Sequence, residues 1–125
     1  VKYLRRKDVD IFFTTLNKAN KYYSPTTAYH DYSINEWLFH WQSQSTTSEA
    51  SPTGQRYISR KKGCGYSFLF VREQKSDRYG AQPFVFLGPV YYVKHEGSRP
   101  MNITWRLEQP IPAKFLKKTN KLVVG

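Results

Sequence analysis

Acidic residues, cysteine and long apolar stretches are all scarce in this sequence. Asp and Glu total 9 against 20 Lys and Arg, which leaves a formal net charge of +11 on 125 residues. The single cysteine, Cys64, excludes a disulfide framework within the chain and suits a reducing compartment. The longest apolar run, 84–93, is interrupted by Gly88 and Pro89 and falls far short of the roughly 20 residues that a membrane span needs. We therefore expect no membrane partner.

Positive charge and aromatic rings are what the chain has in abundance. Its pI is near 9.8, and Phe, Trp and Tyr make up 17% of the residues. A strongly basic surface attracts polyanions whatever fold carries it, and exposed aromatic rings stack on bases. This combination favours nucleic acid as the partner.

The length of the chain and its first residue bear on domain organisation. At 125 residues the chain has the usual size of one domain with one core. The sequence begins at Val1 without an initiator methionine, in the middle of a patterned segment. We expect residues 1–125 to form a single recognition domain, cut from a longer intracellular protein.

Runs of β-branched and aromatic residues predict several short strands. Side chains alternate in residues 38–44, which predicts Phe39 and Trp41 on one face and His40 and Gln42 on the other. The other predicted strands are 11–15, 66–71, 84–87, 90–93 and 101–107.

Capping signals predict two or three short helices. Ser51 and Pro52 have the residue types of an N-cap and first helical position, and Gly63 is typical of the end of that helix. Ser33 and Glu36 have the spacing of a capping box, which predicts a helical turn, and residues 111–118 predict a last helix. The expected fold is α+β, a β-rich single domain with a mixed sheet curled into a partly closed barrel.

A dense group of polar and aromatic residues predicts a pocket for a base. A base taken out of the stack needs flat side chains beside it and polar groups that contact its Watson–Crick edge. We expect Asp31 to accept from the exocyclic amine of cytosine and Gln42 to donate and accept. The alternative is that the aromatic rings are core and Asp31 caps a turn. The predicted pocket consists of Tyr29, His30, Asp31, Tyr32, His40, Trp41 and Gln42.

Basic and hydroxyl side chains cluster in three other segments. Such groups contact phosphate oxygens and position a protein on DNA without specifying sequence. The alternative is an ordinary solvated surface. The predicted contacts to the DNA backbone are Ser43, Ser45, Thr46, Arg56, Arg60, Lys61, Lys62, Lys94 and Arg99.

Catalysis and metal binding have little support in the sequence. Glu73 and Lys75 have the carboxylate-any-lysine spacing that some metal-dependent nucleases use. The nearest upstream carboxylate, Glu49, falls in a Ser/Thr-rich loop, and Cys64 has no second cysteine to complete a zinc site. We expect a non-catalytic domain that uses no cofactor and no metal.

Several unusual strings resemble a family long catalogued as a domain of unknown function. They are SPTTAYHDY (24–32), LFHWQSQS (38–45), SPTGQRY (51–57), FLGP (86–89), HEGSRPM (95–101) and WRL (105–107). The resemblance covers almost the whole chain.

The resemblance implies a C-terminal domain of proteins that carry a phospholipase-D-type nuclease and a superfamily 2 helicase, as in SauUSI-like modification-dependent restriction endonucleases. It implies target recognition of duplex DNA with 5-methylcytosine or 5-hydroxymethylcytosine, by an SRA-like domain with a PUA-like barrel. The nuclease and helicase domains of the same chain would be its partners, in a bacterial cytoplasm. The roles predicted for individual residues come from their side-chain chemistry alone.

Two other functions are compatible with the same composition. One is a non-specific duplex DNA or RNA-binding module of a helicase. The other is an interaction domain that docks the helicase or dimerises. If binding depends on cytosine modification, the domain is a target reader and not a non-specific nucleic-acid-binding module. If affinity for nucleic acid falls steeply as salt rises, the domain binds phosphates and is not only an interaction domain.

Overall fold

The computed structural model describes residues 1–17, 31–63 and 65–119. Each predicted strand overlaps an observed strand, and the predicted last helix is observed with its start two residues later. The elements are β1 (Lys2–Leu4), β2 (Val9–Asn17), β3 (Tyr32–Ser33), β4 (Leu38–Gln42), α1 (Pro52–Ile58), β5 (Tyr66–Gln74), β6 (Ser76–Asp77), β7 (Gly80–Ala81), β8 (Val85–Glu96), β9 (Asn102–Leu107) and α2 (Ala113–Thr119). Neither of these helices is long and apolar enough to cross a membrane.

Seven strands form one mixed sheet in the order β1-β2-β5-β8-β9-β4-β3, and β6 and β7 form a separate short hairpin. β2 and β5 are parallel, whereas the other neighbours in the large sheet are antiparallel. β1 and β3 lie at opposite edges and do not pair with each other. The β-rich mixed sheet with short helices is confirmed, but the sheet of the described residues is open and not closed into a barrel.

The two faces of this sheet have different environments. The inner face carries the core, in which the Phe12 ring lies 4.7 Å from Trp41, 5.5 Å from Tyr57 and 5.3 Å from Trp105. Because successive strand residues point to opposite sides, their neighbours in sequence project from the outer face. In β4 the residues alternate between buried and half-buried, as predicted.

A buried ionic cluster attaches α1 to the inner face. Asp10 in β2 is completely buried and accepts two hydrogen bonds from Arg56, each 2.9 Å long. Arg60 Nη2 donates to Asp10 and to Asp8, both at 3.0 Å. The Arg60 carbonyl accepts from the backbone N–H of Tyr92 at 2.8 Å, so the cluster joins α1 and the turn after it to β2 and β8.

The helix α1 begins where the sequence predicts. Ser51 Oγ accepts from the backbone N–H of Gly54 at 3.0 Å, and Pro52 occupies the first turn. The helix ends at Ile58, before the predicted end at Gly63, since the next turn directs Arg60 towards the buried carboxylate.

Residues 85–87 and 90–93 belong to one strand, β8, where the sequence predicts two strands, 84–87 and 90–93. The register between β5 and β8 shifts beside Gly88, which has φ of +95°. Glycine adopts this conformation without steric cost, so a bulge replaces the predicted break.

The helical turn predicted at Ser33 is absent. Ser33 pairs with Phe39 in the β3–β4 ladder, and its hydroxyl forms a 2.5 Å hydrogen bond with Thr119 of α2. Asn35 Oδ1 accepts from the backbone N–H groups of Trp37 and Leu38, at 2.8 and 2.9 Å. An Asx-type turn therefore replaces the capping box.

We predict that Asp10→Asn strongly destabilises the fold. Removing one member of a buried ion pair leaves charges without compensation and costs about 3–5 kcal/mol. Urea unfolding followed by circular dichroism measures the change. The exposed Asp77→Asn is the matched control, with an expected change within about 0.5 kcal/mol. Equal unfolding midpoints for the two variants would contradict a structural role for the cluster.

A second prediction concerns the stability of the fold at low pH. Hydrogen bonds from Arg60 and then from Tyr3 lower the pKa of the Asp8 carboxyl below its ordinary value. A carboxyl of this kind stabilises the fold above its unfolded-state pKa, and the contribution is lost as pH falls through the folded-state pKa. Stability should therefore begin to fall as pH approaches about 3.8 and fall further below it, and fall less in Asp8→Asn. Identical urea midpoint shifts in the two proteins would refute this.

Candidate nucleic-acid interface

A cleft of about 220 Å³ opens on the outer face, where β3, β4, β9 and β8 lie side by side. One row of side chains crosses these strands: Tyr32 opposes His40, His40 opposes Thr104, and Thr104 opposes Lys94. Directly opposed residues project from the same face of a sheet. All four side chains line the cleft.

The Tyr32 and His40 rings form a flat surface in this cleft. Their centroids are 4.7 Å apart and their planes differ by 16°, so the two rings are stacked. Both side chains are half-buried, so neighbouring atoms hold the two rings in this orientation.

A second row supplies hydrogen-bonding groups. Gln42 opposes Asn102, and Asn102 opposes Glu96. Gln42 Nε2 donates to Asn102 Oδ1 at 3.2 Å. Amides donate and accept, whereas an ionised carboxylate only accepts. The row therefore presents both kinds of partner beside the stacked rings.

Two of the predicted pocket residues have structural roles instead. Asp31 is 2% exposed, and its Oδ1 accepts from the backbone N–H of Gln42 at 2.8 Å. It fixes the start of β3 on β4 and is not among the residues that line the cleft. Trp41 is 5% exposed and packs against Phe12 and Tyr57 in the core, so its predicted place in the pocket is wrong.

Of the predicted pocket residues, Tyr32 and His40 line the cleft, and Gln42 lies opposite Asn102, which also lines it. Predicted pocket residues Tyr29 and His30 lie outside the described residues. Sequence reasoning missed several cleft residues from other strands. They are Ile34, in the turn after β3, and His95, Glu96, Asn102 and Thr104 in β8 and β9.

A signal for some of the missed residues is present in β9. Asn102, Thr104 and Arg106 are polar and alternate with the buried apolar residues of that strand, which marks them as one face. This alternation does not show which strands pair with β9.

The Ser/Thr loop after β4 lies against the turn at residues 97–100. The backbone N–H of Arg99 donates to the Thr47 carbonyl at 2.9 Å, and Ser98 Oγ accepts from the Glu49 N–H at 2.9 Å. Ser45, Thr46 and Arg99 are exposed, as phosphate contacts require. They follow β4 or precede β9, at the Gln42–Asn102 end of the cleft.

Ser43, in the same loop, has another role from the one predicted. It is 7% exposed, accepts from the backbone N–H of Met101 at 2.8 Å and donates to the Gln44 carbonyl at 3.0 Å. Its hydroxyl is committed to holding the loop on β9, so it is unavailable to a phosphate.

The predicted basic helix end is divided between two roles. Arg60 is 2% exposed and Arg56 is paired with Asp10, so the prediction that these two arginines contact phosphates is wrong. Lys61 and Lys62 are exposed in the connection to β5 and keep their predicted role as a proposal.

A second cleft, of about 260 Å³, lies between the end of β5, the β6–β7 hairpin and α2. Glu73 and Asp77 both line it, together with Arg72. Within residues 1–17, 31–63 and 65–119, no group of three or more His, Cys, Asp or Glu side chains is placed to hold a metal ion.

Comparison with known proteins identifies the family of this chain. No curated protein matches the chain. A family model described as "Domain of unknown function (DUF3427)" matches residues 2–118. Because this match spans nearly all of the sequence, the chain belongs to the DUF3427 family.

Proposed function

We propose that this domain is a non-catalytic DNA-recognition module that binds duplex DNA and takes a modified cytosine, 5-methylcytosine or 5-hydroxymethylcytosine, into the outer-face cleft. The observation that carries the proposal is the juxtaposition of a stacked ring pair, Tyr32 and His40, with a row of amide and carboxylate groups. A flipped base needs these two kinds of group together.

The size of the cleft favours a single base. Pockets for drug-sized ligands measure about 300–1,000 Å³, whereas this cleft measures about 220 Å³. One pyrimidine ring stacked on the Tyr32–His40 pair would occupy such a space. Extrusion costs a few kcal/mol of unstacking, which stacking and edge hydrogen bonds offset.

The polar row matches the edge of cytosine. The exocyclic amine of cytosine is a donor, so the Glu96 carboxylate replaces Asp31 as its acceptor in this proposal. The Asn102 amide, which lines the cleft and accepts from Gln42 Nε2 through its Oδ1, supplies N–H groups for the acceptors of the ring. Glu96 lies across β9 from Gln42, with Asn102 between them.

The extra substituent of a modified cytosine needs its own contact. Ile34 lines the cleft and is 39% exposed, which leaves an apolar side chain accessible beside the stacked rings. Its backbone is fixed by the 2.8 Å hydrogen bond from its N–H to the Leu38 carbonyl. We assign the contact with a 5-methyl group to Ile34.

Phosphate contacts would surround the cleft. Lys94 lines it and is exposed, and Ser45, Thr46 and Arg99 are exposed at its Gln42–Asn102 end. The net charge of +11 favours association with a polyanion. These groups would position the duplex, while the cleft would provide the preference for a modified cytosine.

The sequence resemblance to SauUSI-like modification-dependent restriction endonucleases supports the same function. In that context the domain would be the SRA-like target recognition domain of a bacterial cytoplasmic protein, and the nuclease and helicase domains of the same chain would carry out cleavage. The alternative is a non-specific duplex DNA or RNA-binding module, which the exposed Lys61 and Lys62 also suit.

We predict tighter binding to a duplex with one modified cytosine than to the same duplex unmodified. Glu96→Ala should reduce this preference by about 1–3 kcal/mol, since an acceptor of the base edge is lost. Its affinity for the unmodified duplex should not fall, because the removed charge repels phosphates. Fluorescence anisotropy measures both affinities. Glu73→Ala, a half-buried carboxylate outside the cleft, is the matched control.

Two outcomes count against this assignment. Equal affinity of the wild-type chain for the two duplexes would sink the proposed function and favour the non-specific module. A preserved preference in folded Glu96→Ala would remove Glu96 from the base contact.

We also predict that replacing both Lys61 and Lys62 by Ala weakens modified and unmodified duplexes equally. Phosphate contacts release counterions, so the slope of log affinity against log salt should decrease by about 1 per lost contact. Titrations at several salt concentrations give this slope. Loss confined to the modified duplex would contradict a backbone role.

A further inference from the structure

A row of aromatic rings covers another part of the outer face, over β2, β5 and β8. Tyr66, Phe68 and Phe70 alternate along β5, Phe13 lies opposite Phe70 in β2, and Phe86 lies opposite Phe70 in β8. Phe13 is 49% exposed, Tyr66 53% and Phe86 54%. These five residues are termed the aromatic ladder.

The rings of the aromatic ladder are in continuous contact. Phe13 stacks on Phe70 at 5.2 Å, and Phe70 lies 4.7 Å from Phe86. Phe86 is 6.1 Å from Phe68, which stacks on Tyr66 at 5.9 Å with planes only 4° apart. The result is a broad aromatic surface that follows the strand direction of β5.

Core formation does not account for this surface. The core lies on the inner face, where Phe12 and Leu69, the sequence neighbours of Phe13 and Phe70, are each 1% exposed. Soluble proteins seldom expose contiguous apolar patches of this kind unless they bind something.

Positive charge lies at both ends of the aromatic ladder. At the Tyr66 end, Val9 opposes Tyr66, and the turn at residues 5–7 just before it carries three exposed basic residues. At the other end Arg72 follows Phe70 on the same face of β5. Its guanidinium lies 4.3 Å from the Phe84 ring, and its Nε donates to Thr15 Oγ1 at 2.8 Å.

A further cation lies along the side of the ladder. Lys2 in the edge strand β1 is exposed and opposes Ile11, which in turn opposes Phe68. The aromatic surface therefore has cations at its two ends and on its β1 side.

We propose that the aromatic ladder binds a single-stranded segment of nucleic acid, with bases stacked on the exposed rings of Tyr66, Phe86 and Phe13 and phosphates beside the flanking cations. Aromatic platforms with basic surroundings bind single strands without strong sequence preference, because every base has a flat face. In a duplex those faces are already stacked on one another. The inference does not depend on the function proposed for the cleft.

The test is fluorescence anisotropy of the whole chain with labelled single strands of about 15 nucleotides, oligothymidylate and oligouridylate. Phe86→Ala and Tyr66→Ala should each weaken binding by about 5-fold or more. Tyr79→Ala is the matched control, since Tyr79 is 85% exposed but lies on the β6–β7 turn, outside the ladder. Comparison of the two strands shows whether the 2′-hydroxyl matters.

A variant that adds a fluorescent ring distinguishes loss of binding from loss of the fold. Phe86→Trp keeps a flat ring, so it should retain affinity and show quenching of tryptophan emission on addition of oligothymidylate, above the change in the wild type. Affinity unchanged in folded Phe86→Ala and Tyr66→Ala would overturn the proposal in favour of charge alone. Concentration-dependent dimers that the same variants abolish, with no oligonucleotide binding, would overturn it in favour of a second copy.

Discussion

The buried carboxylate of Asp10 is the constraint on which the arrangement of this domain depends. An unpaired charge in a protein interior is too costly to keep, so Asp10 requires two arginines, Arg56 in α1 and Arg60 in the turn after it. Arg56 and Arg60 reach it from one side of the sheet only, which directs α1 and the core to the inner face. The outer face therefore does not have to pack against α1 or the core, and both proposed binding surfaces lie on it.

The cleft and the aromatic ladder share this outer face, with β8 contributing to each. Phe86 belongs to the ladder and Lys94 to the cleft, while Tyr91, between them in β8, opposes Arg106 of β9. A rigid sheet holds the two surfaces in fixed register, which favours precise binding. A domain of this design would contact one base closely in the cleft and others by stacking on the ladder, within the long-range attraction of its net charge of +11.

Local patterns in the sequence predicted strands β2, β4, β5, β8 and β9, the start of α1 and the alternation in β4, because period-two burial and capping depend on near neighbours. The short strands β1, β3, β6 and β7 were not predicted. Pairings between distant residues were not predictable in this way. Arg60 resembled the basic end of an exposed helix, since nothing local reveals a partner 50 residues earlier. Glu96 and Asn102 reach the cleft only through the β8–β9 pairing. Trp41 was predicted in the pocket although the alternation that placed His40 outward required Trp41 to point inward.

Mapping of backbone amide chemical shifts by NMR tests most directly whether the outer face binds DNA. On titration with a duplex that carries one 5-methylcytosine, we expect the largest shifts at Tyr32, His40 and Asn102, with small shifts in α1. The unmodified duplex should shift the exposed basic residues but not these three. Perturbations concentrated in α1, or identical maps for the two duplexes, would contradict the account.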